Sequence, residues 1–361
     1  GKTGSGKSTL LANMIKSDLE QGNGLGLIDP GGDLAEDILD LVPENRIKDV
    51  IYFNPADTKY PIGFNPLEGA EPDKNHLVAS GLISVFKKIW PEFWGPRLEH
   101  ILRNTILALA EIPGSTLLDI PDLLTCEPFR KQVVAKVGNL QVKNYWEQEF
   151  ERYSKWLKAE ASSPILNKVG QYLSSPVLRN ILGQKKSGFD LREVMDQKKI
   201  LIVNLSKGQL GEDNASLLGA MLIAKIQLAA LSRDNLPREE RVPFYLYVDE
   251  IQSFATTSFA DILSEARKYG LGLVMTHQYL DQLEEAIKKA VFGNVGTLIA
   301  FRLGQEDAKE FAEEFYPLFD RFDLINLPNY HIYLKLMIEG VTSRAFSART
   351  LPLPEVKALN K

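Results

Sequence analysis

The sequence predicts an α/β protein with a mostly parallel central sheet, built on a phosphate-binding loop and interrupted by an all-helical insertion. Three observations lead there. Gly1-Lys2-Thr3-Gly4-Ser5-Gly6-Lys7-Ser8 fits the pattern G-x-x-x-x-G-K-[ST]. Short apolar runs alternate with helical periods at both ends of the chain, as in a sheet whose strands are joined by crossover helices. Between about 71 and 190, helical periods follow one another across Pro and Gly breaks without a convincing strand.

In chain order, a helix is expected to start at Gly6-Lys7-Ser8 and run through Leu10, Leu11, Met14 and Ile15, one apolar face, until Gly22 and Gly24 end it. Residues 25–29 form a short apolar run closed by Asp29-Pro30-Gly31-Gly32-Asp33, which reads as a strand and its turn. Leu34, Ile38 and Leu39 restart a helical period, and 50–53 is a second buried strand. The helical block has periods over 98–111, 120–124, 141–159 and 165–173. Its aromatics Trp90, Trp94, Tyr145, Trp146 and Trp156 lie near basic residues; core packing is their ordinary role, and stacking on single-stranded nucleic acid is the other one open to them. At Lys199 the α/β rhythm returns, with a strand at 200–205, a helix at 215–231, a strand at 244–248, a helix near 262–269 and strands at 271–275 and 297–301. A helix from Glu306 and a hairpin near Tyr333 to Phe346 close the chain. The expected domains are a nucleotide-binding domain in two parts, 1–70 and 191–361, with the all-helical domain 71–190 inserted between them.

A hydrophobic content of 44% and a charged content of 25% exclude a disordered chain. The single cysteine, Cys126, excludes an internal disulfide and suits a reducing, cytoplasmic setting, and four scattered histidines (His76, His100, His277, His331) offer no zinc spacing. The longest apolar stretch, 217–231, is interrupted by Lys225 and Gln227 and reads as too short to cross a bilayer, so these residues are expected to be soluble. A net charge of -5 excludes a surface coated with phosphate-binding groups, yet 71–190 carries 16 Lys/Arg against 13 Asp/Glu and leaves the remainder clearly acidic.

The loop's chemistry fixes its candidate roles. Gly1, Thr3, Gly4, Ser5 and Gly6 let backbone N–H groups wrap the β-phosphate of ATP at a helix N-terminus; Lys7 reaches β and γ oxygens, Ser8 gives a hydroxyl to Mg2+, and Thr9 touches the α-phosphate. Such a loop needs a carboxylate at the end of a neighbouring buried strand, and Phe244-Tyr245-Leu246-Tyr247-Val248-Asp249-Glu250 supplies it. Asp249 is the magnesium carboxylate, and Glu250 the candidate base for the attacking water. Arg267, near the end of its helix, either complements the helix dipole or serves catalysis. Gln278, just past 271–275, either senses the γ-phosphate or caps a loop.

Taken together, the phosphate loop, Asp29-Pro30-Gly31-Gly32-Asp33, Phe64-Asn65-Pro66-Leu67, Asp249-Glu250, Ser264-Glu265-Ala266-Arg267-Lys268 and His277-Gln278 resemble the conjugative coupling proteins of type IV secretion systems, the TraG/TraD-like branch of the FtsK/HerA group of DNA-pumping ATPases. The resemblance covers nearly the whole chain. It implies a RecA-like motor domain with the helical domain inserted and six copies in a ring around DNA. The DNA is expected to be a single strand bearing an attached protein, delivered to a membrane secretion channel from the cytoplasmic face. It also implies Arg267 as an arginine finger reaching a neighbour's γ-phosphate, with Arg302 as its rival, and Gln278 as the sensor. A chromosomal DNA pump, or an ATP-switched receptor for secreted proteins, are the other functions weighed. Gly31 stands where many relatives carry Lys or His, so any contact of that side chain is expected to be lost or moved to the backbone. A phosphate loop normally follows a buried strand, so a strand, and a membrane anchor, are expected upstream of Gly1, making the chain a fragment that an added strand would stabilise.

Overall fold

The computed structural model describes residues 1–69 and 72–355. They fall into two compact units, one of residues 1–52, 194–204 and 233 onward, the other of 53–193 and 205–232.

The first unit is built on five strands, β1 (Gly24–Asp29), β2 (Val50–Phe53), β3 (Ile200–Asn204), β4 (Phe244–Val248) and β5 (Leu271–Met275), in the order β2-β3-β1-β4-β5. β1 pairs in parallel with β3 and β4, and β4 with β5. Its central place explains why β1 shows no polar alternation: all six residues are buried. Helices α1 (Lys7–Glu20) and α2 (Asp33–Leu41) lay Leu11, Ala12, Ile15, Leu19, Leu34, Ala35 and Ile38 against Leu25, Leu27, Ile200, Ile202 and Tyr247. Each large side chain so buried contributes about 1.5–3 kcal/mol. The expected face of α1 is corrected in one respect. Leu10 turns to a separate cluster of Phe301, Ile332 and Leu334, and Met14 is only partly buried.

That cluster belongs to an antiparallel sheet of β6 (Leu298–Ala300), β7 (His331–Lys335) and β10 (Phe346–Arg349), in the order β10-β7-β6. The strand expected at 297–301 therefore lies outside the parallel sheet. The expected closing hairpin is β7 with β10, and a small hairpin of β8 (Met337–Ile338) and β9 (Val341–Thr342) lies between them in sequence.

In the second unit the described residues are helical and irregular, with helices Asn75–Ile89, Pro96–Ala110, Lys155–Leu173 and Glu212–Leu231 the longest. The helix expected over 141–159 breaks differently. Leu140–Asn144 runs into a π turn at Tyr145–Glu149 and a 3-10 turn at Phe150–Arg152. A new helix then starts under Ser154, whose hydroxyl accepts from Leu157 N at 3.2 Å, and runs through Pro164 to Leu173. Pro164 forfeits one backbone hydrogen bond, but the π turn delivers Tyr145, Trp146 and Phe150 to the core together, and that packing decides the break. Trp90, Tyr145 and Trp146 are thus core residues, whereas Trp156 is 73% exposed.

The stretch 205–232, assigned above to the nucleotide-binding domain, packs in this helical unit. Its helix Glu212–Leu231 is apolar on nearly every side, as an enclosed helix must be. With the turn that follows, Glu212–Asn235 is by length and composition long and apolar enough to cross a membrane, where 217–231 by itself was expected to be too short, but 67% of its 18-residue apolar window is buried within the protein.

Candidate nucleotide-binding and catalytic site

The phosphate loop is shaped by glycine. Gly4 and Gly6 have φ of +73° and +112°, left-handed conformations that side chains resist. A Cβ on Gly6 would also meet the Tyr330 ring at 2.9 Å. The loop is tied down by Lys2 N donating to Arg302 O (2.9 Å), by Tyr330 N donating to Ser5 O (3.0 Å), and by the buried Ser5 hydroxyl donating to Lys2 O (2.6 Å). Lys7 Nζ donates to Gly1 O (2.7 Å) and Lys2 O (3.0 Å), so its ammonium lies within the loop. Burial pulls its pKa below the ordinary lysine value, while the charges of Asp249 and Glu250 oppose the shift; the three groups share one field.

The facing wall comes from the carboxyl ends of β4 and β5. Asp249 N donates to Ile28 O (3.1 Å), which holds the strand end against β1. Glu250 then takes a left-handed conformation (φ 47°, ψ 54°), which costs a non-glycine residue about 1–2 kcal/mol and persists only where its surroundings enforce it. Its carboxylate accepts from Gln278 Nε2 at 2.7 Å, and Gln278 Oε1 accepts from the Thr3 hydroxyl at 3.1 Å. Loop, sensor candidate and base candidate are therefore joined as Thr3, Gln278, Glu250.

Two groups here escaped the sequence reading. Thr276 donates its hydroxyl to Asp249 Oδ1 and accepts from Glu250 N (3.2 Å), bracing both acids; the available signal was a polar residue ending the apolar run of β5. Asp29, quoted only as part of a motif, is buried at the end of β1 and accepts from the N–H groups of Gly31 (2.8 Å), Gly32 (2.9 Å) and Ala35 (2.9 Å). Burial raises its pKa, the three N–H groups counter the rise, and the Asp249 charge adds to it. His277 is held down to about 4, chiefly by burial, so its ring is neutral.

Ser8 is exposed at the start of α1, and Thr9 and Asp249 are partly buried. Among the described residues no three His, Cys, Asp or Glu side chains cluster as a metal cage. A hydroxyl and one carboxylate nevertheless suit magnesium, which keeps several waters and takes its other oxygens from phosphate. Arg267 is not brought to this site. It is exposed on the 3-10 turn Ala266–Tyr269 and makes no side-chain hydrogen bond or ion pair among the described residues. Arg302 is half-buried, and its carbonyl holds Lys2 of its own loop.

A parallel sheet whose strand ends present a phosphate loop, two adjacent acids and a polar relay is a RecA-like P-loop fold. Residues 1–316 match the model of the type IV secretion-system coupling protein DNA-binding domain, and the chain belongs to that family. It is 22% identical to the type 4 coupling protein DotL of Legionella pneumophila subsp. pneumophila over 86% of this chain and 47% of DotL, so it spans about half the length of that relative. Its fold is similar to that of the bacterial conjugative coupling protein TrwBdeltaN70 (TM-score 0.70, 18% identity, 99% of this chain and 84% of the other). TrwB in complex with a non-hydrolysable ATP analogue superposes with a TM-score of 0.69 at 20% identity, over 99% and 84% of the two chains. VirB4 of Thermoanaerobacter pseudethanolicus gives 0.64 at 14% identity, over 98% and 88%.

Proposed function

We propose that this chain is the ATP-hydrolysing motor of a coupling protein, converting ATP and water to ADP and phosphate and using that turnover to move DNA toward a type IV secretion channel. The observation that carries the hydrolytic half is the relay from Thr3 through Gln278 to Glu250, beside Lys7 and Asp249. It connects a residue of the phosphate loop to the carboxylate that polarises water, as a γ-phosphate sensor requires. The N–H groups of the loop from Gly1 to Gly6 and Lys7 hold the phosphates, with Thr9 at the α-phosphate. Ser8 and Asp249 hold Mg2+, which when bound neutralises phosphate charge. Arg267, whose exposed side chain has no hydrogen-bond or ion-pair partner among the described residues, is the finger offered to a neighbouring copy. Arg302 suits that role less, because it is half-buried where Arg267 is exposed.

Relatives support the ligands: TrwB has been seen with a non-hydrolysable ATP analogue and with ADP and Mg2+, and the family is described as a DNA-binding domain. We read 71–190 as the inserted all-helical domain where substrate enters, six copies as the working assembly, and the cytoplasmic face of a membrane as its place. The substrate is a single DNA strand with attached protein. The test is ATP turnover by the full-length protein without DNA, with single strands and with duplex. Stimulation by DNA is expected; turnover indifferent to both would leave an ATP-driven switch for secreted proteins instead.

A further inference from the structure

Arg267 is exposed, but the turn that carries it is not left to solvent. Its last two carbonyls are both taken by arginines of the segment leading into β4. Arg241 Nη1 donates to Lys268 O at 2.6 Å, and Arg233 Nη1 donates to Tyr269 O at 3.0 Å. Arg233 is fully buried, also donates to Val242 O (2.8 Å) and pairs with Asp196 at 2.9 Å. Arg241 donates its Nε to Leu236 O (3.0 Å), and its guanidinium lies 5.2 Å from the centre of the Tyr269 ring. The turn closes at Gly270, with φ +74°, where a Cβ would meet Val242 O at 3.1 Å and Arg241 O at 3.2 Å.

We infer that Arg233 and Arg241 are positioning residues for Arg267, clamping the turn that presents it to a neighbouring copy; this rests on the reading of Arg267 as the finger. Water can satisfy the carbonyls of an exposed 3-10 turn. Two arginines, one wholly buried with its own counter-ion, do something water does not: they fix the backbone one and two residues beyond Arg267. A group that must stabilise charge across an interface loses rate steeply with misplacement, about 100-fold for 1 Å, so a rigid mount has direct value. The mount also shares a strand with the chemistry. Phe244 N donates to Gly270 O (2.9 Å) at the start of β4, whose far end carries Asp249 and Glu250.

The test uses the assembled protein and partly exposed Arg241, because Arg233→Ala strips a buried ion pair and is prone to misfolding. Arg241→Ala should lower turnover about tenfold, with nucleotide affinity and melting temperature close to those of the parent. Arg241→Lys should not restore it, since an ammonium lacks the fork that spans Leu236 O and Lys268 O. Arg241→Ala/Arg267→Ala should be no slower than Arg267→Ala alone, and Arg241→Ala subunits should regain turnover when mixed with Glu250→Gln subunits, which supply an intact finger. Additive losses in the double variant, or parental turnover in Arg241→Ala while Arg267→Ala is inactive, would overturn the inference and leave the finger standing. Parental turnover in Arg267→Ala would remove the finger and this inference with it.

Discussion

Glu250 has two properties that set it apart from a solvated strand end and support its proposed role as base: a left-handed backbone and a side chain held by Gln278. Glu250→Gln keeps the shape and removes the charge proposed to polarise water. Nucleotide affinity should stay near the parent's while turnover falls by at least about 100-fold. Lys7→Ala should instead weaken nucleotide binding, because its ammonium lies inside the loop. Binding titrations beside steady-state turnover separate the two; an equal loss of affinity in both would remove Glu250 from the role of base. Glu250→Gly should also be inactive yet change stability by no more than about 1 kcal/mol, since relief of the left-handed strain offsets glycine's greater freedom in the unfolded chain. Chemical denaturation measures this, and a loss of several kcal/mol would mean the conformation is not strained. The sequence singled out Asp249 and Glu250 as candidates, because an apolar strand ending in two acids has few other uses beside a phosphate loop, and the structure sets both beside Lys7. It did not reveal Thr276, whose importance lies in a bond to a residue 27 positions away.

Individual elements were legible where periodicity alone decides them, and illegible where tertiary packing does. β1, β4 and β5 lie where their apolar runs put them, while the helices of 141–173 break where Tyr145, Trp146 and Phe150 reach the core rather than at Pro164. The helix Glu212–Leu231 is the clearest case: its length was readable, but an all-round apolar helix does not announce which neighbours enclose it. Its one cation, half-buried, gives a test. Burial pulls Lys225 from 10.5 to about 8, against the opposing charges of Glu68 and Asp190. The folded value lies below the unfolded one, so between pH 8 and 10.5 the unfolded chain binds more protons and this group's contribution to stability rises with pH. The gain is on the order of 3 kcal/mol. Unfolding followed at pH 8 and pH 10 should show this rise for the parent and its loss in Lys225→Met. Equal pH dependence in both would place the lysine's charge in contact with water.

At the scale of the whole molecule the α/β alternation announced the fold class, but the charge distribution sets the harder constraint on function. A chain of net charge -5 has no general attraction for nucleic acid, and even the helical block, with 16 Lys/Arg against 13 Asp/Glu, is only mildly basic. On the proposed reading, phosphates are held by a local array of cations that several copies complete together. The isolated subunit should therefore bind a single strand weakly, and the assembled protein should bind it with log K falling linearly against log salt, by about 0.7 for each phosphate neutralised. Fluorescence anisotropy of a labelled strand, at protein concentrations below and above assembly and at several salt concentrations, measures both effects. Tight, salt-insensitive binding by the lone subunit would place recognition in base stacking within a single chain, with exposed Trp156 the first residue to replace.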